Sequence, residues 1–246
     1  MLGNILRWFG LNQPAPEPAA PEREQLGHDE FLRRYEQGQR DFSHTVLMGV
    51  DLREFNLRGF NFRQADLRMV QDLQQGVTLA GSDLTEALLG GVNLQQLDLS
   101  RAVLYRADLS GAQLSRANLE EANLGKANLE GANLEASLLE GANLSQARLG
   151  RVGLYGIYAL GANFGEADLT GANLGKAELE QANFSRVQLA RTNLAWANLN
   201  SANLGEANLS RSNLENADLE GANPTSAKTE QVKWDGARLP QGMWLK

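Results

Sequence analysis

The sequence predicts an all-β solenoid, and three observations support this: a five-residue period, a fixed order of polarity within each period, and a chain long enough for many repeats. Ala-Asn-Leu recurs every five residues in stretches such as RANLEEANLGKANLEGANLE, which begins at Arg116. From Leu79 to Leu219 the frame holds for 29 consecutive pentapeptides, and the central residue is Leu in 26 of them. A period of five fits neither an α-helix nor a flat strand, so a different repeating unit is required.

Within each pentapeptide, apolar and polar residues alternate before two turn-forming residues. Counting from the central Leu as position i, position i−2 is mostly Ala and i−1 is mostly Asn or Asp, while i+1 and i+2 are mostly Gly, Ser, Glu, Lys, Arg or Gln. Positions i−2 and i therefore share one side of an extended segment, and i−1 lies on the other side. Positions i+1 and i+2 are typical of a turn. Because so short a segment cannot bury its Leu alone, successive segments must wind about a common axis and stack.

These residues resemble the pentapeptide repeat family, whose motif is Ala-(Asp/Asn)-Leu-x-x. The resemblance covers residues 40–239. It implies a right-handed quadrilateral parallel β-helix with four repeats in each coil. With about 4.8 Å between stacked strands, about ten coils would form a rod roughly 50 Å long. Leu-rich repeats without cysteine also look like those of cyanobacterial family members.

The chain divides into four predicted parts. Residues 1–27 form an amphipathic N-terminal segment and a proline-rich linker, and residues 28–40 form a helix that caps the first coil. Residues 41–239 form the β-helix, and residues 240–246 form a C-terminal tail. One spacing is two residues longer than two repeats, which predicts a frame slip with a bulge or small loop near residues 68–78.

The N-terminal segment is a candidate docking element. Leu2, Ile5, Leu6 and Phe9 fall at helical spacing on one stripe, with Trp8 beside it. Such a segment on a tether would dock in a partner's groove or lie at a membrane surface. Its single arginine argues against strong binding to anionic lipid. The alternative is a disordered or lightly packed tail. No apolar run is long enough to predict a spanning helix, and the segment does not fit a signal peptide.

Composition argues against catalysis and against several classes of ligand. The chain has no cysteine, and its two histidines, His28 and His44, are too few for a convincing metal site. No Ser-His-Asp arrangement or phosphate-binding loop is present. We therefore expect no enzyme activity, no cofactor and no metal. The net charge of −7 argues against direct binding of nucleic acid.

One interruption of the repeat predicts a contact surface. The segment RVGLYGIYAL, residues 151–160, places large apolar residues at positions that should face water. With four repeats per coil, residues 20 apart stack, so one patch gathers from several coils. Exposed aromatic groups often anchor interfaces, whereas the alternative is a local rearrangement that turns these side chains inward around Ala159. The candidate partner-binding residues are Leu138, Tyr155, Tyr158, Leu160 and Trp196.

A column of acidic residues follows the same unrolling. Glu120, Glu140, Glu180 and Glu220 share position i+1 on one side of the coil. Stacked like charges would be retained to meet a basic partner, or the column is ordinary drift on a solvated face.

The leading functional hypothesis is a non-enzymatic scaffold or adaptor that presents a rigid surface to a protein complex. The N-terminal segment, residues 1–11, would dock to a partner or membrane. One alternative is a DNA mimic that binds a DNA-processing protein such as gyrase, and another is a regulatory or assembly factor of a photosynthetic membrane complex. The expected location is the cytoplasm, or the periphery of an inner or thylakoid membrane. A homodimer through the C-terminal cap would use Trp234, Met243 and Trp244.

Overall fold

The computed structural model describes residues 23–53, 55–71, 73 and 77–241. Three elements of regular secondary structure lie at its N-terminal end: β1 (Glu24–Leu26), α1 (His28–Glu36) and β2 (Thr45–Leu47). Strands β1 and β2 are parallel, with Leu26 opposite Leu47. In the described part of the chain, no helix is long and apolar enough to span a bilayer.

The remainder of the chain is a coil of short parallel bridges. Each bridge joins an i−1 residue to the i−1 residue one coil later, and the separation is 20 residues over most of the rod, as from Asn143 to Asn163. The bridges form four ladders, which define four faces of a quadrilateral coil. The described i−1 residues run from Asp41 to Asn223 on face 1, from Val46 to Lys228 on face 2, from Asp51 to Lys233 on face 3 and from Asn56 to Arg238 on face 4. This arrangement is the right-handed quadrilateral parallel β-helix that the sequence predicted.

The core is built from positions i−2 and i. Along face 1, for example, Ala142 and Leu144 are fully buried, while Asn143 between them is partly exposed. Each buried Leu contributes about 1.5–3 kcal/mol of transfer free energy. Because this core repeats along the whole rod, its stability comes from many similar layers rather than from one central cluster.

Each corner is a hydrogen-bonded turn. After Leu144, the N–H of Ala147 donates to the carbonyl of Leu144 at 3.1 Å, and Gln146 has a φ of 58°. A positive φ at the third residue is typical of a type II turn. The Oδ1 atom of Asn143 accepts the backbone N–H of Ser145 at 3.1 Å and the side-chain amide of the asparagine one coil later at 3.2 Å. Asparagine at i−1 therefore stabilises both the turn and the stacking of coils.

The N-terminal end of the core is covered by α1. Phe31 of α1 is fully buried, and its ring centroid lies 4.7 Å from that of Phe42 and 5.5 Å from that of Phe55. Tyr35, one helical turn later, lies 4.8 Å from Phe55. The helix therefore closes the first coil with aromatic rings.

The register changes once. Asp51 bridges to Gln71 at a separation of 20 residues, but Asn56 bridges to Thr78 at a separation of 22. The next ladders keep the longer spacing for one coil, and Thr78 returns to the 20-residue spacing at Asp98. Two additional residues are thus accommodated between Gln71 and Thr78.

The repeat weakens towards the C-terminal end. Val232, Trp234 and Leu239 pack against the core but are only partly buried. Because these residues line the last described coil, the apolar interior is less covered at this end than at the end that α1 closes. Met243 and Trp244 lie outside the described residues.

Candidate interaction surface

Face 4 carries an exposed apolar patch in the middle of the rod. Tyr158 occupies an i−1 position with 55% of its surface exposed, and Leu160 follows at the corner with 41% exposed. Leu138 bridges to Tyr158 from the coil below and is half-buried. Tyr155 lies at the preceding corner, between faces 3 and 4, and is 40% exposed. We call Leu138, Tyr155, Tyr158 and Leu160 the face-4 patch.

The ring of Tyr155 is held against the next coil. A Cβ atom added to Gly175 would lie 3.2 Å from Cδ2 of Tyr155, so the ring covers the place where other residues carry a side chain. The Nζ atom of Lys176 lies 5.9 Å from the centroid of the same ring. A ring that is already packed loses little conformational entropy when a partner binds.

Trp196 lies two coils further along the same corner. It is 62% exposed and has a φ of 63°. The sequence prediction that these four coils carry outward aromatic and aliphatic groups is therefore matched by their positions, although Trp196 stands apart from the face-4 patch.

The core beneath the patch keeps its volume by an exchange of residues. Ile157 occupies a position that is usually Ala, and Ala159 occupies a position that is usually Leu, yet both are fully buried. The pair has the same number of side-chain carbons as the usual Ala and Leu. The backbone therefore keeps its normal bridges at Tyr158, to Leu138 and Glu178, and the inward rearrangement around Ala159 does not occur.

Acidic side chains surround the patch. Glu140 and Glu180 occupy the corner position of Leu160 one coil before and one coil after it, and Glu178 bridges directly to Tyr158. Glu220, further along the column, pairs with Arg238 at 2.6 Å. Among described residues, Glu140, Glu178 and Glu180 have no basic partner within 4.0 Å. The patch is therefore apolar at its centre and negatively charged at its margin.

The other predicted sites give no comparable arrangement. Leu2, Ile5, Leu6, Trp8 and Phe9 lie outside the described residues. The Nδ1 atom of His28 accepts the backbone N–H of Asp51 at 3.3 Å, which is a structural contact at the cap. Within residues that the structure describes, no group of His, Cys, Asp and Glu side chains could hold a metal ion.

One exposed apolar pair was not anticipated from the sequence. Met48 and Met69 are 40% and 55% exposed at the corner between faces 2 and 3, close to β1. Their signal was available, since both occupy turn positions that are usually polar, but the frame slip that follows makes the stacking of this region hard to read from spacing alone.

Comparison with known proteins agrees with this geometry. The family model described as pentapeptide repeats matches eight copies, over residues 41–70, 82–120, 117–152, 162–199 and 188–223. The chain belongs to the pentapeptide repeat family.

Several solved structures resemble this pentapeptide repeat protein. HetL, a pentapeptide repeat protein involved in heterocyst differentiation regulation in the cyanobacterium Nostoc sp. strain PCC 7120, is 35% identical, with 89% of this chain and 100% of HetL covered and a TM-score of 0.57. A pentapeptide repeat protein from the Arabidopsis thaliana thylakoid lumen is 29% identical over 40% of this chain and 62% of its own, with a TM-score of 0.31. QnrB1, a plasmid-mediated fluoroquinolone resistance protein, is 15% identical over 76% and 92%, with a TM-score of 0.36. No curated protein matches the chain.

Proposed function

We propose that this protein is a non-enzymatic scaffold whose face-4 patch binds a partner protein. Members of the pentapeptide repeat family are generally structural or interaction proteins. The observation that carries the proposal is the cluster of exposed Tyr155, Tyr158 and Leu160 on an otherwise polar rod. Exposed apolar clusters with a polar margin are typical of interaction sites, and tyrosine is enriched among residues that dominate binding energy.

The charge around the patch specifies the partner. Glu140, Glu178 and Glu180 lie next to the apolar centre and are not neutralised by basic residues of the described chain. A partner segment with apolar side chains flanked by Lys or Arg would bury the tyrosines and pair with these carboxylates. Such complementarity favours association rate and selectivity.

The test uses photo-cross-linking from the patch followed by affinity measurement. Benzoylphenylalanine at position 158 of the full chain would capture the partner in extract of the source organism, and mass spectrometry would identify it. The binding of the purified partner would then be compared for wild type and the Tyr155→Ser/Tyr158→Ser double variant. We expect at least about a tenfold loss of affinity, since aromatic anchors often contribute 2 kcal/mol or more.

Tyr105→Ser is the matched control. Tyr105 lies at a different corner, between faces 1 and 2, and also packs over a glycine, with its Cδ2 atom 3.3 Å from the place of an added Cβ on Gly125. We expect wild-type affinity for this variant and an unchanged melting temperature for both variants. Equal affinity of the double variant and the control would refute the role of the patch.

DNA mimicry makes a different prediction. A DNA mimic would change gyrase supercoiling activity, and replacing Glu120, Glu140 and Glu180 by Gln would abolish the effect. Under the scaffold proposal, supercoiling is the same with and without the protein. The scaffold is preferred because unpaired arginines on the opposite side of the rod reduce its resemblance to a polyanion.

The terminal segments supply separate proposals. Residues 1–11 would dock to the partner complex or to the surface of an inner or thylakoid membrane, including a photosynthetic complex, and a chain lacking residues 1–22 would then lose co-sedimentation with membranes or with the complex. The partly buried Trp234 suggests a homodimer through the C-terminal end. Analytical ultracentrifugation of wild type and Trp234→Ser tests that proposal.

A further inference from the structure

A second charged surface lies at the corner between faces 2 and 3. Arg151, Arg191 and Arg211 occupy the same turn position in three coils of the C-terminal half, and all three are exposed. Arg191 and Arg211 are in adjacent coils, and Arg151 is two coils before Arg191. Lys228 and Lys233 continue the positive charge on the flanking faces of the last coils. We call these five residues the basic corner.

Other arginines at the same turn position are neutralised along their column. Arg186 lies 3.2 Å from Glu206 and 4.0 Å from Glu166, one coil on either side. Arg106 lies 3.5 Å from Glu86, and Arg101 lies 3.0 Å from Glu121 in the same way. In these columns, opposite charges follow each other from coil to coil.

The basic corner lacks this compensation. The residues between and beyond its arginines are Gly171 and Gln231, and the Nε atom of Arg211 donates to Oε1 of Gln231 at 3.0 Å. Within the described chain, Arg151 and Arg191 have no acidic partner within 4.0 Å. Positive charges in adjacent coils repel each other, so this column is not arranged for stability.

The backbone at this corner points the same way. Arg151, Arg191 and Arg211 have φ values of 56°, 59° and 62°, which strain any residue with a Cβ atom. Earlier coils place glycine at the same position, as at Gly111 and Gly131, where a positive φ brings no such strain. The arginines therefore carry both strain and charge repulsion without a compensating contact in the described structure.

We propose that the basic corner is a second binding surface and that it takes an acidic segment of a partner protein. Arg191, Arg211 and Lys228 line a groove of about 570 Å³. Glu230 lies in the same groove and accepts a hydrogen bond from Oγ of Ser210 at 2.8 Å. Three cations against one carboxylate leave the groove positive. Since this corner is diagonally opposite the corner that carries Glu140 and Glu180, the rod can hold two partners of opposite charge at once.

The extent of the surface favours a peptide over nucleic acid. From Arg151 to Arg211 is three coils, or about 14 Å at about 4.8 Å per strand spacing. Alternate side chains of an extended peptide are about 7 Å apart, so a few Asp or Glu residues would cover this distance. A duplex is wider, and its further phosphates would meet Asp168 and Glu230. The net charge of −7 would also oppose its approach.

The experiment measures binding of a fluorescein-labelled octaglutamate peptide to the full chain by anisotropy, at 50 mM and 200 mM salt. The test variant is Arg191→Glu/Arg211→Glu. The matched control is Arg106→Glu/Arg186→Glu, which changes net charge equally at paired arginines of the same turn position. We expect the dissociation constant to rise at least about tenfold for the test variant and less than about twofold for the control.

A second variant removes the charge without risk to the fold. Arg191→Gly/Arg211→Gly relieves the positive-φ strain, so it should fold as well as wild type and still lose peptide binding. Three results would overturn the proposal: no peptide binding at 50 mM salt, equal loss in test and control variants, or tighter binding of a 12-base-pair duplex than of the peptide through the same arginines. Because the Tyr155→Ser/Tyr158→Ser variant should bind the peptide normally, failure here is distinguishable from failure of the face-4 patch.

Discussion

The exchange of Ile157 and Ala159 makes a quantitative prediction about the core beneath the face-4 patch. Ile157→Ala would leave two alanines in one repeat and remove three buried carbons. At about 0.8 kcal/mol for each, the transfer loss is about 2.4 kcal/mol, and the cavity brings the expected destabilisation to about 2–5 kcal/mol. Ala159→Leu alone would add three carbons to a filled layer and cost about 1–3 kcal/mol.

The double variant Ile157→Ala/Ala159→Leu should recover most of this loss. It restores the Ala and Leu arrangement of the coils before and after, where Leu139 and Leu179 are fully buried. If the two costs simply added, the double variant would lose about 3–8 kcal/mol. We expect it to lie within about 1.5 kcal/mol of wild type instead, which corresponds to a coupling energy of at least about 1.5 kcal/mol.

Urea unfolding followed by circular dichroism would measure the three variants. The double-mutant cycle is valid where the m-value is unchanged, since a solenoid can lose coils separately. A double variant as unstable as the sum of the single variants would refute the reasoning, because the two side chains would then not fill a common volume.

Three further predictions concern the cap, a buried hydroxyl and pH. Phe31→Ala should cost about 3–5 kcal/mol at the N-terminal end and expose the first coil, so size-exclusion chromatography should show end-to-end association. Ser137→Ala should stabilise the chain by about 1–3 kcal/mol in thermal unfolding, because the Oγ atom of Ser137 is buried without a partner; Ser82→Ala should not, because the Oγ atom of Ser82 donates to a carbonyl at 2.7 Å. The Arg68 guanidinium beside Asp66 holds the pKa of that carboxyl below its usual value, so its contribution is present above the unfolded pKa and is lost as pH falls through the folded one. The stability difference between wild type and Asp66→Asn should therefore disappear at acidic pH, and a difference that persists there would contradict the assignment.

The direction of each side chain was predictable from the sequence, because it follows from alternation within three residues. Ala142, Asn143 and Leu144 point as the pattern requires, and the extra spacing after residue 67 locates the change of register. The four-sided coil was not derivable from the period of five. It came from family resemblance, and every statement about residues 20 apart depended on it.

The pairing of charges was not predictable from the same pattern. Arg106, Arg151, Arg186 and Arg191 look alike in sequence, as scattered cations that dilute an acidic surface. Their difference lies in the residues one coil before and after, since Arg186 has Glu166 and Glu206 as neighbours whereas Arg191 has no acid in its column. Reading the sequence in steps of 20 would have revealed this, provided that the coil length was known.

The pentapeptide separates the residues that stabilise the rod from those that can bind. Positions i−2 and i are enclosed by the coil, so their substitution changes stability, as Ile157 and Ala159 should show. Positions i+1 and i+2 face solvent, and the main constraint at i+2 is a positive φ that arginine and tryptophan accept at a modest cost. A patch such as Tyr155 with Leu160, or a column such as Arg191 with Arg211, can therefore arise without any change in the core. It follows that departures from the repeat at outward positions are better guides to function in this fold than the regular residues that identify the family.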